Sequence, residues 1–303
     1  MGTDDDPSWF ALRRVVFAYG CRLKMSKTHT FTEAYAASWP LFESALSAYS
    51  DLMFTRISLV SVQAVILMAH FAEGLGSITL QYNLGSSALH LACSKGLHRQ
   101  PAPSWGLLSG DVLHRSRIFW AIYCFETSIV ARTGRPAGID DDEITCLVPD
   151  ASLGPGASHS LYPMFMTKLH RFFSMVSKRL SKVRAHGQTQ EQLAKTVGEL
   201  DEELQGLKKS LSLHLDLDKP VDTSDLDSTL TLNQTLALHF TYYHLVLHLH
   251  FPMACPWSWT GTQNPSTSFL EQATKSSIAV ATASRATIMS TRLLSVDVNS
   301  PMA

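Results

Sequence analysis

The sequence predicts an all-α fold: a single large multi-helix domain with a buried central helix, spanning residues 1–303. Three observations predict it. Apolar residues recur at helical spacing along most of the chain. No run of strand-like alternation flanked by turn residues is found. Gly, Pro and Ser gather in a few loops, which read as 100–110, 150–160 and 255–268, and the 150–160 loop marks a looser seam. The 303 residues suffice for one large domain or two small ones with ample core.

Taken in order, the periodicity places helices over Trp9–Lys24, Leu41–Met53, Arg56–Glu73, Ile78–Lys95 and Asp111–Arg132. Further helices follow over Tyr162–Ala185, Gln190–Leu213, Leu226–His250 and Phe269–Ser295. The helix over Asp111–Arg132 is the central one. Val112, Phe119, Tyr123 and Val130 share one face; Ile118, Ile122, Phe125 and Ile129 fill another; Leu113, Trp120 and Cys124 cover a third. A helix apolar nearly all round belongs in the middle of a domain. Glu126 lies within it, and a buried carboxylate without a partner is costly, so pairing with Arg117 or Arg135 is expected.

Composition excludes several functions. Apolar residues make up 45% and charged residues 17%, and 25 basic against 26 acidic side chains leave a formal charge of −1. A chain gripping a nucleic-acid backbone usually carries a basic face, which this balance does not suggest. The five cysteines, Cys21, Cys93, Cys124, Cys146 and Cys255, contain no CxxC pair. Sparse and odd in number, they fit reduced thiols in an intracellular compartment. The start MGTDDDPSW is acidic, unlike a secretory signal, and Asp6 stands where myristoylation needs Ser or Thr. The sequon at Asn233 then has no role. The apolar stretches 57–71 and 236–254 are too short or too rich in histidine to span a membrane.

The stretch ARTGRPAGIDDDEITCLVP, Ala131–Pro149, admits three readings. Gly134 suits a left-handed helix cap, and Pro136 prevents the helix from resuming. A phosphate loop would need more glycines, a Lys-Ser/Thr pair and a preceding strand. The run Asp140, Asp141, Asp142 and Glu143 supports an alternative, an all-α metal-dependent enzyme of terpene synthase type. Such enzymes hold magnesium with DDxx(D/E), but Ile144 occupies the last position, and in their second motif Pro149 replaces the final Glu. A solvated acidic loop is the plainer reading. His244 and His248 stand at the zincin spacing without the adjoining Glu, and His239 and His250 complete the cluster. Leu193, Val197, Leu200, Leu204, Leu207 and Leu211 form a short heptad seam, weakened by Gly198 and Gly206; packing on its own domain is favoured over a dimer zipper. No GxSxG or catalytic cysteine signature occurs.

Three motif blocks in order resemble a known family. Ala88, Ala92, Gly96, Leu97, His98 and Arg99 form the first, Arg115, Arg117, Phe119 and Trp120 the second, and Gly134, Arg135 and Pro136 the third, followed by the acids and a proline. Residues 56–149 resemble the core of the fungal-specific transcription factor domain, the middle homology region of zinc binuclear cluster regulators. The resemblance over 160–296 is diffuse, with Phe251 in place of the Arg of a Leu-His-Arg-Pro ending. This chain departs from the pattern at Leu113, Ser116 and Glu126-Thr127, keeping a carboxylate but losing two ion-pair partners.

The resemblance implies a nuclear, non-enzymatic regulator of RNA polymerase II transcription. In that family DNA is read by an N-terminal six-cysteine zinc cluster, and no such cluster precedes Trp9. DNA and zinc would therefore be reached only through that missing part, with no cofactor held by this chain. A small-molecule effector and a homo- or heterodimer with related regulators are the partners the resemblance implies, with no membrane.

Overall fold

The computed structural model describes residues 6–55, 57–149, 161–185, 189–222, 229–255 and 265–294. The described residues are helical throughout, joined by loops and two short 3-10 turns, and contain no strand. The chain divides into two compact units, Met1–Pro149 with Ser295–Ala303, and Asp150–Leu294. The loop 150–160, the middle of the loop 255–268, and the predicted helix starts at Arg56 and Leu226 lie outside the described residues.

The first unit holds α1 (Pro7–Met25), α2 (Phe31–Ser47), α3 (Tyr49–Phe54), α4 (Leu59–Glu73), α5 (Ile78–Ser94) and α6 (Ser109–Thr133). Capping fixes where they begin. The Asp6 carboxylate accepts from the Ser8 amide, and Ser58 and Ser61 satisfy each other's backbone at the start of α4. Helix α2 starts ten residues before the predicted position. Trp39-Pro40 suggests a break, yet the Thr30–Glu33 capping box starts the helix, and Ala34, Ser38, Phe42 and Ala45 bury one stripe across the proline.

Helix α4 packs against α1 and α5. Its Val62, Val65, Met68 and Phe71 are wholly buried. Phe71 stacks on Phe42 at 4.6 Å between ring centroids and meets Tyr19 edge-on at 5.4 Å. Against the same ring lies Arg22, a buried cation whose guanidinium sits 4.7 Å from the Phe71 centroid and donates to the Phe71 carbonyl at 3.3 Å. A Cβ at Gly74, the cap of α4, would fall 2.2 Å from an Arg22 nitrogen, so only glycine leaves room for this cation at the negative end of the helix. Helices α5 and α6 approach closely at Gly85, where a Cβ would lie 2.9 Å from the Phe125 ring.

The second unit holds α7 (Leu161–Ala185), α8 (Gln190–Leu211), α9 (Leu232–Ala254) and α10 (Thr267–Thr291). Capping boxes at Thr189–Gln192 and Thr231–Gln234 start α8 and α9. Ala194, Val197, Leu200, Leu204 and Leu211 form the buried stripe of α8, which packs on α7, α9 and α10. The heptad spacing is thus used within the unit. Among the described residues no helix is long and apolar enough to cross a membrane.

Candidate functional site

The three motif blocks all lie in the first unit: the first two meet at the C-terminal end of α5, and the third caps the far end of α6. Helix α5 ends in a Schellman turn: Gly96 has φ +69°, the Leu97 amide reaches back to the Ala92 carbonyl at 2.9 Å, and the Leu97 side chain is buried. The turn leaves His98 and Arg99 at the surface end of the helix. Arg115 on α6 donates to the Lys95 carbonyl at 3.4 Å, a cation at the negative end of α5. Helix α6 ends at Gly134, with φ +67° and its amide on the Val130 carbonyl at 2.9 Å, and Pro136 turns the chain away.

From there residues 138–147 run back along α6 as a strap, stitched to one stripe of the helix. The Gly138 amide donates to Glu126 Oε1 at 2.8 Å. Tyr123 donates its hydroxyl to Asp141 at 2.5 Å. The Leu147 carbonyl accepts both the Trp120 indole at 3.0 Å and the Ser116 hydroxyl at 2.5 Å. Residues 116, 120, 123 and 126 are spaced four, three and three apart, which is one face of an α-helix. The far end of the strap is tied to the first block. The amides of Thr145 and Cys146 both donate to the His98 carbonyl, at 2.9 and 3.0 Å, and the Leu147 amide donates to Gln100 Oε1 at 3.2 Å. Arg99 faces Glu143 across 3.6 Å in solvent.

Glu126 is buried as expected, but its partner is not an arginine. Nine residues at 100° per residue set Arg117 on the opposite side of α6, where it is exposed. Arg135 lies beyond the helix end, with its guanidinium 4.1 Å over the Tyr82 ring. The partner is the Gly138 amide instead. Burial raises the Glu126 carboxyl above its ordinary range; the Gly138 bond lowers it, and nearby Asp141 raises it further. Between the unfolded and the raised folded value the native state binds more protons, so this group's contribution to stability is lost as pH rises through the folded value. Glu126→Gln keeps an acceptor for Gly138 without the charge and is expected to leave stability at neutral pH unchanged or higher. Glu126→Leu removes the acceptor and is expected to cost about 1–3 kcal/mol. Urea unfolding of both variants from the carboxylate range up to neutral pH checks the order and the loss of pH dependence.

The remaining motif residues have structural positions. Phe119 is wholly buried, 5.3 Å from the Trp120 ring and 6.5 Å from His98. His98 accepts from its neighbour Arg99 on Nε2 at 3.0 Å, while its Nδ1 is buried with no hydrogen-bond partner among the described residues. Burial first, and Arg99 second, hold this imidazole below its ordinary pKa.

The acidic run is used for folding. Asp140 caps the 3-10 turn by accepting the Asp142 amide, Asp141 takes Tyr123, and Glu143 faces Arg99. Among the described residues no three His, Cys, Asp or Glu side chains converge on a point that could hold a metal. Neither the magnesium cage of a terpene synthase nor a zinc cluster fits these donors. The histidines are likewise engaged: His244 and His248 lie on the Phe173 ring, and His248 meets Ser177 at 3.1 Å. His250 joins Ser276 at 3.1 Å to Asp201 at 3.5 Å, an order reminiscent of a hydrolytic triad. Ser276 has no exposed surface, so these three residues tie α8, α9 and α10 together with no face for a substrate.

Sequence reasoning missed Arg22, Ser116 and Tyr123 as organising residues. A stripe of hydrogen-bonding side chains on an otherwise apolar helix is the signal that could have found the last two.

The family model described as the fungal specific transcription factor domain matches residues 10–209, about two thirds of the chain. Among curated proteins, an "ABC-transporter-regulating transcription factor" of Aspergillus fumigatus is 29% identical over 251 residues, 80% of this chain and 28% of that protein. The protein of the same description in Aspergillus oryzae is 30% identical over 254 residues, with the same coverage. Protein STB5 of Saccharomyces cerevisiae is 25% identical over 201 residues, 65% of this chain and 26% of its own length. The chain thus spans little more than a quarter of these relatives. No solved structure matches.

Proposed function

Because the chain belongs to the fungal specific transcription factor domain family, we propose that it is the regulatory, middle-homology part of a fungal zinc-cluster transcription regulator acting in the nucleus. The observation that carries this reading is the family match over residues 10–209, which contains all three motif blocks and the strap tied to them at His98 and Trp120. The formal charge of −1 fits a part that leaves DNA to another segment. Zinc belongs, in this reading, to that DNA-reading segment, since the five cysteines stand singly along the sequence with no CxxC pair.

The mechanism is conformational, with no bond made or broken. An effector or a partner protein, including a second related regulator, binds one arrangement of the helices better than another and shifts the population toward it. The shift restrains or releases transcriptional activation. The experiment fuses the chain between a heterologous DNA-binding domain and an activation domain in a fungal reporter strain. The expected result is reporter output changed several-fold relative to the fusion without it, while the purified chain binds duplex DNA weakly. Unchanged output, or tight DNA binding with a steep salt dependence, would contradict the reading.

A further inference from the structure

The second unit contains a cavity of about 330 Å³ between the segment 214–222, the start of α9 and the end of α10. That volume lies at the small end of the range for small-molecule sites. Leu215, Pro220, Val221 and Met289 give it apolar walls. His239 lines it with 2% of its surface exposed, so it is a buried polar group facing a concavity.

The hydrogen bonds around His239 settle which nitrogen is available. Tyr243 donates its hydroxyl proton to the Lys219 carbonyl at 3.0 Å, pinning the segment 214–222 to α9. Its oxygen, 3.2 Å from His239 Nδ1, is then an acceptor, and Nδ1 carries the imidazole proton. Burial holds the ring at about 4, so it is neutral at neutral pH. Nε2 is therefore a bare acceptor, with no protein donor among the described residues. The charges at the rim are engaged locally. Lys219 faces Asp216 across 3.7 Å, and exposed Arg292 folds its Nε onto the Met289 carbonyl at 2.8 Å. The cavity thus sets apolar side chains beside a polar rim that includes His214, Asp216, Asp222 and Thr235, with the Nε2 lone pair of His239 as the acceptor on its buried wall.

We infer that this cavity binds a small neutral molecule with an apolar body and one hydroxyl or N–H donor, the donor bonding Nε2 of His239. The inference names the effector chemistry for the proposed regulator and rests on that reading for its consequence in transcription. Binding itself is measured on the purified chain, so either idea can fail alone.

The test titrates the full chain with 4-propylphenol, its methyl ether and 4-propylbenzoate by calorimetry. The phenol is expected to bind saturably, about tenfold tighter than the ether, which cannot donate. His239→Phe should bring the phenol and the ether to equal affinity. Met289→Trp, which sets a much larger side chain on the cavity wall and changes neither Tyr243 nor His239, should remove binding of both. The inference is overturned by equal phenol and ether affinities in the unsubstituted chain. Tighter binding of the benzoate overturns it too, as does the absence of saturable binding by any probe. If circular dichroism shows His239→Phe to be unfolded, the Met289→Trp arm decides, and phenol binding that survives there sinks the site.

Discussion

Phe71→Ala will lower the unfolding free energy of the first unit by about 3–5 kcal/mol. The ring is wholly buried, stacked on Phe42 and edge-on to Tyr19, with the Arg22 guanidinium over it. Truncation opens a cavity that three neighbours line. It also strips a buried cation of its aromatic face, although the Phe71 carbonyl that Arg22 bonds remains. Since domains are stable by roughly 5–15 kcal/mol, this is a large share of the total. Urea unfolding followed by circular dichroism measures it. A loss below about 1 kcal/mol would show that α1, α2 and α4 do not meet at this ring.

Trp120→Ala comes second, at about 3–5 kcal/mol, with a distinct local consequence. The indole packs edge-on to Phe119 and Tyr123, 2% exposed, and its N–H holds the Leu147 carbonyl. Removing it costs core packing and frees the end of the strap. Trp120→Phe separates the two effects. It keeps most of the ring burial and loses only the donor, for about 1 kcal/mol, because Ser116 still serves the same carbonyl. Equal losses for both variants would place the whole contribution in the hydrogen bond and contradict the packing described.

The sequence made the helical frame legible because apolar spacing and caps are local signals. The Gly134 cap and the Pro136 stop follow from two residue types, whereas the central place that the apolar faces of α6 suggest is taken by α4: α4 packs on α1, α2, α3 and α5, and α6 buries the stretch from Ser116 to Ile129 mainly against α5 and the strap. Helix α2 was misread because Pro40 is a strong local breaker, whereas the burial of Phe42 and Ala45 that overrides it is a tertiary effect. Glu126 was read as buried but assigned the wrong partner. Charge complementarity suggests arginines, but the actual donor is a backbone amide, which every residue carries and no sequence pattern marks. The strap was hidden for the same reason: its stitches at His98, Cys146 and Leu147 run through main-chain groups. What the sequence does carry is the order of the blocks along the chain; in the structure one turn, one helix stripe and one returning strap share a hydrogen-bond network.

The same network takes in two further polar residues of α6. Ser116 donates to the Leu147 carbonyl. Glu126 accepts the Gly138 amide. A Cβ at Gly138 would sit 2.9 Å from the end of the Leu89 side chain and 3.3 Å from the Glu126 carboxylate, so a larger residue there would have to displace both side chains.

The most direct test of the strap is native-state amide hydrogen exchange, resolved at Gly138, Cys146 and Leu147. Their amides donate to Glu126, the His98 carbonyl and Gln100, outside any helix. Protection of all three that approaches that of the α6 backbone, and that falls together in Trp120→Ala, is the result expected of a strap stitched to the helix. Exchange at the rate of an unstructured loop, unchanged by that substitution, would contradict it.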